Sequence, residues 1–325
     1  MKILKKFLLL ILLGALLIAF AYYWVDSYYH TPIEFSGTKV FIVEKGHGIS
    51  QVATEMEQQG IIKNPKIFSV IARYYKKTNP KFGEYAFNSG VTAAEILERM
   101  ERGQTIIRKI VIPEGRTVLQ IHDILKKAER LKEVATPSDL PQEGTLLPET
   151  YYYHYGDTDL DLLTQMQKNM EPVLNDLWEK RAPNLPLKSK EEALILASIV
   201  EKETGADGER GLVASVFINR LNKGMKLESD PTATYGITKG AVDRVPSAKD
   251  LDHNNPYNTY LIPALPPTPI CNPGIKAIEA VLNPPTSEYI FFVASGSGGH
   301  NFAVTYKEHV ANIQKLRDRL KTTAK

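Results

Sequence analysis

The sequence predicts an α+β protein with a single N-terminal transmembrane helix, a small β-α-α-β module and a larger mixed α+β domain. Three observations support this organisation: an uncharged apolar run near the N-terminus, a strand-helix-helix-strand pattern after it, and mixed helix and strand signals in the rest of the chain. The 325 residues, 43% hydrophobic and 24% charged, have an ordinary globular composition with room for more than one domain.

The first element is the apolar run at residues 7–25, FLLLILLGALLIAFAYYWV, which contains 19 residues and no charge. About 20 apolar residues in a helix span the core of a bilayer. Lysines precede the run, and Tyr22, Tyr23 and Trp24 stand where an interfacial aromatic belt is expected. The run therefore predicts one transmembrane helix.

The flanking charges predict its orientation. Because positive residues remain in the cytoplasm, residues 1–6 are expected there, and the chain beyond Asp26 in the periplasm, on the outer side of the cell inner membrane. A cleaved signal peptide is the alternative, since Ala19-Phe20-Ala21 matches a small-residue cleavage site. Bulky tyrosines follow that site and the apolar run continues beyond it, which favours a retained anchor.

The second part follows a tether at residues 26–37 and covers residues 38–88. TKVFIV alternates like a strand, with Val40 and Ile42 as its apolar residues and Phe41 as a further candidate, and GEYAF is a return strand. Two helices are predicted between them. The first has apolar residues at helical spacing and a glycine, Gly60, as its stop; the apolar residues are Ile49, Val52, Ala53 and Met56. The second begins with Asn64 as a cap and Pro65 at the first helical position. This order resembles a LysM-like module, a small fold that binds N-acetylated glycans; a plain spacer domain is the alternative.

The rest of the chain comprises a connecting segment at residues 89–108 and a larger domain at residues 109–325. Helix starts are predicted by capping boxes and caps at Thr92/Glu95, Ser189/Glu192, Thr158 and Asp207. Strands are expected in IIRKIVIPEG and YIFFVASG, an amphipathic helix in TVLQIHDILKKAERLKEV and a closing helix at residues 307–321. From Lys226 onwards, abundant Pro, Gly, Asn and Tyr indicate ordered loops.

Several classes of function are disfavoured by composition. The net charge of +3 includes no long basic block away from the chain ends, so nucleic acid is not expected as a partner. Cys271 is the only cysteine, which excludes an internal disulfide and a thiolate metal cluster. GSGGHNF lacks the Lys-Ser/Thr ending of a phosphate loop, and His300 has no partner at metal-ligand spacing. We therefore expect neither a metal nor a cofactor.

The segment LILASIVEKETG contains two acids, Glu201 and Glu203, at the end of an apolar helix. Residues two apart on a helix point to nearly opposite sides. Residues three, four and seven before Glu203 are large and apolar, whereas those before Glu201 form a weaker stripe. The pattern places Glu203 on the buried side, where desolvation raises the pKa of a carboxyl and suits it to general acid catalysis. The alternative is that both are solvated ends of a core helix.

The order of six separated motifs is similar to the YceG-like (MltG) family of endolytic murein transglycosylases. The motifs are ASIVEKET, ERGLVASVFINRL, GMKLESDPTATYG, YNTY, LPPTPICNPG and GGHNF. The resemblance covers residues 109 to about 314 and extends to the anchor and the LysM-like module. It implies that Glu203, the second glutamate of EKET, is the catalytic residue.

The resemblance implies an endolytic lyase that cleaves the MurNAc-GlcNAc bond of nascent peptidoglycan strands without water. Glu203 would protonate the glycosidic oxygen and then accept the proton of the MurNAc C6 hydroxyl, leaving 1,6-anhydroMurNAc ends. A role as a terminase of glycan elongation, beside peptidoglycan synthases (penicillin-binding proteins), follows from the resemblance alone. The alternatives are a hydrolase with a second carboxylate, for which Glu149 is the best candidate, and a non-catalytic, membrane-tethered glycan-binding scaffold.

Further residues are candidates for a glycan-binding cleft. Asn219 and Arg220 follow the catalytic helix in sequence; they are expected to bind acetamides or order the Glu203 loop, with an ordinary helix-end cation as the alternative for Arg220. The remaining candidates are polar or aromatic residues of the later loops, namely Asp230, Tyr257, Asn258, Tyr260 and His300. For Asp230 the alternative is a turn or cap residue, and for the tyrosines a packed corner.

Overall fold

The computed structural model describes residues 2–205 and 208–323, and these divide into two compact units. The first unit contains the described residues up to Arg108 together with Tyr153–Gly156. The second unit contains Lys109–Tyr152 and the described residues from Asp157 onwards. Helices and strands occur in both units, as the sequence predicts for an α+β protein.

The elements of the first unit are α1 (Lys2–His30), β1 (Thr38–Val43), α2 (Ile49–Gln58), α3 (Pro65–Tyr74), β2 (Gly83–Asn88) and α4 (Ala93–Arg102). The second unit contains β3 (Arg108–Val111, whose first residue closes the first unit), α5 (Val118–Lys126), a 3-10 turn (Pro137–Asp139), β4 (Thr150–Tyr153, whose last residue belongs to the first unit), α6 (Asp159–Glu179), α7 (Lys190–Glu203), α8 (Arg210–Asn222), α9 (Asp230–Thr238), α10 (Ala248–Asp252), α11 (Ile275–Leu282), β5 (Phe291–Ala294), β6 (His300–Ala303) and α12 (Tyr306–Thr323). The strands form three pairs, β1-β2, β3-β4 and β5-β6.

Helix α1 is long and apolar enough between Ile3 and His30 to cross a membrane. Its apolar side chains between Phe7 and Tyr23 are exposed. The helix continues through residues predicted as tether, because Tyr29 is buried in the core of the first unit and stacks on Tyr75 at a ring-centroid distance of 3.9 Å. The extended tether is therefore shorter than predicted and begins after His30.

The β-α-α-β order predicted for residues 38–88 is present, and β1 and β2 pair antiparallel from Thr38 opposite Asn88. Helix α2 buries the four predicted apolar residues, and Asn64 caps α3 by accepting a hydrogen bond from the Ile67 N–H. The predicted strand face is wrong: Val40 is exposed, whereas Phe41 is fully buried. Phe41 and Val43 form the inner face because they belong to one core with the buried apolar residues of α2, α3 and α4.

The second unit is organised around α7. Residues Ala193 to Val200 of α7 are all buried, because α6, α8, α9 and α11 contact this helix. Its core includes Leu196, Phe217 and Ile278. A helix covered on all sides has no solvent-facing polar stripe of the kind found in an amphipathic helix. The polar side chains of α7 therefore reach a cleft at its C-terminal end.

Local signals in the second unit are correct in some places and wrong in others. Thr158 caps α6 with a full capping box. At Ser189 only half of the predicted box forms, because the Glu192 carboxylate accepts its hydrogen bond from the Lys188 N–H. The predicted cap Asp207 lies outside the described residues. The region from Lys226, predicted as loops, contains α9, α10 and α11.

The chain ends on a hairpin and a helix. The predicted YIFFVASG strand corresponds to β5, which is half-buried instead of fully buried and pairs with β6. The glycines between the two strands form a turn, in which Gly296 and Gly298 have φ of 74° and 87°. Helix α12 then packs on both strands.

Candidate active site

A cavity of about 420 Å³ lies at the C-terminal end of α7. It is lined by the ends of α7 and α9 and by the loop after α9, with residues Thr117, Lys202, Glu203, Asp230, Pro231, Thr234, Tyr235, Thr238, Gly240, Val242, Asp243, Arg244, Val245, Pro246 and Ile270. Carboxylates, cations, hydroxyls and apolar groups therefore share one wall. Such a mixture suits a polar ligand that also presents apolar ring faces.

The last three residues of α7 point in three directions, because successive helical residues are rotated by about 100°. Glu201 meets Arg210, with 3.6 Å between Oε1 and Nη2. Lys202 Nζ donates to Asp243 Oδ1 over 2.6 Å. Glu203 Oε1 accepts a hydrogen bond of 2.5 Å from Ser229 Oγ. Two of the three, Lys202 and Glu203, line the cavity.

Glu203 is half-buried, and its carboxyl has the environment that the helix pattern predicts for it. Desolvation raises the pKa of Glu203 from 4.5 to about 7. The negative charge of Asp230 raises it as well, whereas the hydrogen bond from Ser229 and the charge of Arg220 lower it. Desolvation has the largest effect, so this carboxyl is protonated in a large fraction of the molecules near neutral pH.

Glu201 is not the weakly buried residue that the sequence pattern suggested. Its side chain is only 5% exposed, because α7 is covered on every side. Its carboxylate faces the Arg210 guanidinium and accepts a hydrogen bond of 3.0 Å from the Gly274 N–H. A charge with a cation and an N–H donor beside it is stabilised as the anion. The two glutamates therefore differ in electrostatic environment more than in burial.

Arg220 lies buried beneath the site and is held by four acceptors. Its Nε donates to the Ile290 carbonyl over 2.7 Å, and its Nη1 donates to the carbonyls of Lys226 and Leu227 and to the Glu228 carboxylate. This network joins α8 to the segment that enters α9. Its positive charge is close enough to Glu203 to lower the pKa of that residue.

Asp230 is the first residue of α9 and lines the cavity together with Glu203. Its Oδ1 accepts a hydrogen bond of 2.7 Å from the Tyr260 hydroxyl. Tyr260 is thereby fixed beside the site, and burial with this bond raises the pKa of its hydroxyl. Tyr257 has its ring 4.9 Å from that of Tyr235 and its hydroxyl 2.9 Å from Thr268 Oγ1, and it is not among the residues of the cavity wall.

Three candidates each have a polar side-chain nitrogen that contacts another part of the protein. Asn258 is fully buried, and its amide donates to the Leu251 and His253 carbonyls. Asn219 donates to the carbonyls of Ser287 and Tyr289 over 2.8 and 2.9 Å. His300, the first residue of β6, has its Nδ1 2.8 Å from Glu209 Oε2. The structure does not bring these three side chains to the cavity wall.

Glu149, the predicted second carboxylate, is exposed immediately before β4 and is not part of the cavity wall. Asp230 lines the cavity beside Glu203 as a second acid, and its Oδ1 accepts from the neutral Tyr260 hydroxyl, whereas Asp243 on the same wall pairs with Lys202. A short polar residue before proline reads as a cap in sequence, and Asp230 does begin a helix. Its side chain nevertheless faces the cavity.

Sequence reasoning missed Glu143 and Tyr235. Glu143 accepts hydrogen bonds from the Val118 N–H and the Asn272 amide, both of 2.9 Å, and from the Tyr235 hydroxyl over 3.4 Å. Burial raises the pKa of Glu143 to about 7 despite these bonds. Tyr235 lines the cavity. Glu143 lies in a short polar loop without periodicity, so no local signal marked it.

The described residues contain no cluster of three or more His, Cys, Asp or Glu side chains that could hold a metal ion. Cys271 is fully buried, and burial raises the pKa of its thiol well above 9.0. A neutral thiol in this position has little nucleophilic character. The chemistry of the cavity is therefore that of carboxyl, hydroxyl, ammonium and guanidinium groups.

The YceG-like family model matches residues 41–315, which include all of the residues that line the cavity. The chain belongs to the YceG-like family. A crystal structure of a YceG-like protein from Listeria monocytogenes is 31% identical, with a TM-score of 0.56 over 85% of this chain and 99% of that one. The family was expected from the six motifs.

Two curated relatives carry a functional name. The endolytic murein transglycosylase of Bacillus subtilis is 30% identical over 297 residues, covering 82% of this chain and 81% of the relative. The endolytic murein transglycosylase of Streptococcus pneumoniae is 29% identical, and the match covers 89% of this chain but 59% of that protein. This chain therefore spans about three fifths of the streptococcal relative.

Proposed function

We propose that this chain is an endolytic peptidoglycan lytic transglycosylase, a lyase that cleaves the MurNAc-GlcNAc bond within glycan strands and leaves 1,6-anhydroMurNAc ends. The observation that carries the proposal is Glu203: a single carboxyl with a pKa of about 7 on the wall of a 420 Å³ cavity. The names of the relatives from Bacillus subtilis and Streptococcus pneumoniae support the same substrate.

The reaction needs one group that first gives and later takes a proton. In the protonated form Glu203 donates its proton to the glycosidic oxygen, and the bond to C1 of MurNAc breaks as positive charge develops on that sugar. Glu203, now a carboxylate, accepts the proton of the C6 hydroxyl while the C6 oxygen bonds to C1. A pKa near the working pH serves both steps. The proton returns to Glu203, so the cycle closes without water.

The neighbours of Glu203 have distinct roles in this scheme. Ser229 fixes one carboxyl oxygen by its 2.5 Å hydrogen bond, so the other oxygen remains for the substrate. The charge of Asp230 favours the protonated acid and stabilises the positively charged sugar. Buried Arg220 opposes an excessive rise of the pKa of Glu203. Tyr235 and Tyr260 present aromatic surface on which sugar rings can pack.

We further propose that α1 is a retained single-pass anchor in the cell inner membrane, with its N-terminus in the cytoplasm and both remaining parts of the chain in the periplasm. The lysines before the apolar run and the aromatic residues at its end support this orientation. An anchored enzyme meets glycan strands as they are made at the membrane. This location suits a terminase that acts beside peptidoglycan synthases.

The β-α-α-β module is proposed to assist glycan binding, in the manner of a LysM-like domain, without taking part in the chemistry. Its strand and helix order supports this role. Deleting residues 38–88 should weaken attachment to peptidoglycan sacculi and leave residual anhydro product. Loss of all cleavage by a variant whose second unit is still folded would contradict this division of labour.

A hydrolase is the second candidate function, and one observation favours it: Asp230 and Glu203 line the same cavity. Hydrolysing glycosidases use two carboxyl groups on either side of the bond. In this alternative Asp230, rather than the predicted Glu149, would activate water or attack C1. Asp230 also accepts a hydrogen bond from the Tyr260 hydroxyl, which gives this carboxylate a structural role. For this reason we prefer the lyase to the hydrolase.

Mass spectrometry of the products separates the candidates. Full-length protein is incubated with uncrosslinked glycan strands, and Glu203→Gln serves as the inactive reference. Anhydro ends, which are one water lighter than reducing ends, support the lyase. Reducing ends support the hydrolase, and Asp230→Asn should then abolish them. Unchanged strands, together with retained binding, would identify a scaffold.

A further inference from the structure

The segment at residues 60–83 has an unusual charge balance. It contains six Lys or Arg residues and no Asp or Glu, whereas the whole chain has a net charge of only +3. The rest of the chain is therefore net negative. A concentrated patch of one sign attracts an oppositely charged surface over a distance of about 10 Å at 0.1 M salt.

Helix α3 presents part of this charge on one exposed face. Lys66, Val70 and Tyr74 follow one another at four-residue spacing and are all exposed, with Val70 57% and Tyr74 59% accessible. The opposite side of α3 buries Phe68 and Ile71. Exposed Lys63, Arg73 and Lys76 extend the surface. We call these six residues (Lys63, Lys66, Val70, Arg73, Tyr74 and Lys76) the basic face.

The basic face is attached directly to the end of the apolar helix. Tyr75, between two of its members, stacks on Tyr29 of α1 at 3.9 Å, and the rings of Tyr74 and Tyr75 are 5.0 Å apart. Burial and the nearby Asp26 carboxylate raise the pKa of Tyr75. These contacts lie within one compact unit, so the end of α1 and the end of α3 have a fixed relationship.

The length of α1 indicates the level of this contact. The uncharged run of 19 residues ends at Val25. At 1.5 Å per residue it spans about 28 Å, close to the hydrocarbon core of roughly 30 Å. Tyr29 lies about 6 Å farther along the helix, which corresponds to the headgroup layer. Tyr75 and the adjoining part of the basic face are held at the same level.

A small cavity adds a second observation at this level. It has a volume of about 210 Å³ and is lined by Tyr28, Thr31, Pro32, Ile33, Glu34 and Lys63. It opens beside the last turn of α1 and contains one cation of the basic face. The Thr31 hydroxyl, the tyrosine and the Lys63 ammonium group suit a phosphate-bearing headgroup at this level. The Glu34 carboxylate on the same wall opposes an anion, and its Oε2 accepts a hydrogen bond of 2.7 Å from Ser89 Oγ.

We infer that the basic face is a membrane-contact surface that binds anionic phospholipid headgroups and holds the β-α-α-β module flat against the bilayer. The cations match the headgroup phosphates, and Val70 and Tyr74 enter the interfacial layer. Lys77 is not counted, since it lies 3.8 Å from Glu101. The inference rests on the proposed membrane span of α1. It gives the first unit a role distinct from glycan binding.

The test uses full-length protein in vesicles of phosphatidylcholine with or without one third phosphatidylglycerol. A nitroxide is attached to Tyr74→Cys, because the native Cys271 is fully buried. Collisions with oxygen and with a nickel chelate report whether the label lies in lipid or water. We expect a headgroup signal with phosphatidylglycerol, and its loss in phosphatidylcholine, in 1 M salt, or after Lys63, Lys66, Arg73 and Lys76 are all changed to Gln.

A matched variant removes the same charge from the second unit, at exposed Lys188, Lys223, Lys307 and Arg317, and should keep the headgroup signal. A label in water under every condition would overturn the inference. A lipid signal that is independent of the vesicle charge, of the four substitutions and of the salt concentration would overturn it as well. Weaker binding to sacculi with an unchanged label would assign the face to glycan instead. Carbonate extraction is measured in parallel. Release of the unaltered protein would contradict the proposal that α1 spans the membrane, and not the assignment of the basic face.

Discussion

Ser229 donates a hydrogen bond of 2.5 Å to Glu203, across the junction between the end of α7 and the start of α9. The bond lowers the pKa of Glu203 and so opposes the larger effect of desolvation. It also fixes the direction of the carboxyl. One hydroxyl thus affects both the protonation and the aim of the proposed acid.

Ser229→Ala should therefore raise the pKa of Glu203 and shift the alkaline limb of the pH–rate profile to higher pH. The rate at the optimum should fall about tenfold or more, because a charge-assisted hydrogen bond of about 1.5–3 kcal/mol is lost and the carboxyl can turn. Ser229→Thr keeps the hydroxyl and serves as the control. An unchanged profile in the alanine variant would show that the bond has no role in catalysis.

Glu203→Gln should reduce the formation of anhydro ends by at least ~10²-fold, the lower end for acid–base catalysis, because the amide has no transferable proton. The fold should survive, since a neutral amide replaces a carboxyl that is often protonated near pH 7. Circular dichroism and a thermal melt verify folding. An active Glu203→Gln enzyme would contradict the proposed mechanism.

Glu201→Gln is the matched variant, two residues away, and its effect should be of another kind. The buried Arg210 keeps the Glu114 carboxylate at 3.9 Å but loses the charge of Glu201, so the free energy of unfolding should fall by about 3 kcal/mol, the lower end for a broken buried ion pair. Anhydro product per folded molecule should change by less than about tenfold, which corresponds to ~1.4 kcal/mol. If Glu201→Gln is inactive while folded and Glu203→Gln is active, the roles are reversed.

The comparison of these two glutamates shows what the sequence could provide. Rotation along the helix predicts that they face different ways, and they do. The relative burial of Glu201 could not be predicted, since it depends on Arg210 and on the Gly274 N–H, which approach from distant segments. Periodicity describes one helix and contains no information about what covers its weaker face.

The same limit applies to the fold and to the cavity. The caps at Asn64 and Thr158 were predicted correctly because their signals are local. Helix α9 was missed because its proline, glycine and threonines resemble a loop, although Pro231 in the first turn is compatible with a helix start. Ser229, Tyr235 and Glu143 reach the site only through tertiary packing, so no spacing rule could group them.

Glu143 and Tyr235 provide a further prediction. Tyr235→Phe removes the hydroxyl that donates to Glu143 and leaves the ring in the cavity, so it should raise KM for glycan a few-fold with little change in kcat. Glu143→Gln keeps an acceptor for that hydroxyl, so it should change KM less than Tyr235→Phe does. Tyr235→Ala, which removes the ring, should raise KM much further. Equal effects of the phenylalanine and alanine variants would show that the ring does not bind substrate.

Asn258 and Asn219 were candidates for glycan binding, and their hydrogen bonds lead to a different expectation. Asn258→Ala leaves the Leu251 and His253 carbonyls without their buried donor, so the free energy of unfolding should fall by about 1–3 kcal/mol per lost partner. KM measured below the melting temperature should remain unchanged. A raised KM in a variant of unaltered stability would instead support direct contact with the glycan.

The stability of the protein should decrease between pH 5 and pH 7.5 because of two buried carboxyls. Glu203 and Glu143 each have a pKa raised from 4.5 to about 7 in the folded protein. Between these values the folded state holds a proton that the unfolded chain has released, so their contribution to stability is complete below about pH 4.5 and lost as pH rises through 7.

Other groups act in the opposite direction or at other pH values. The pKa of Asp243 is lowered, chiefly by Lys202 against the effect of burial, so its contribution is lost only at acidic pH. Burial lowers the pKa of His309, which should increase stability as pH rises through 6.5. The contribution of the two glutamates to the pH dependence of stability is therefore best measured by substituting them and comparing the variants with the unaltered protein.

Each pKa unit corresponds to about 1.4 kcal/mol, so the two glutamates together should lower the free energy of unfolding by on the order of a few kcal/mol over this range. The Glu143→Gln/Glu203→Gln double variant cannot ionise at either site and should lose most of that pH dependence. Exposed Glu191→Gln is the control and should retain it. Denaturant unfolding at pH 5, 6, 7 and 7.5 gives the slopes directly. A double variant with the same slope as the unaltered protein would show that neither carboxyl takes up a proton on folding, and the acid assigned to Glu203 would then be ionised at neutral pH.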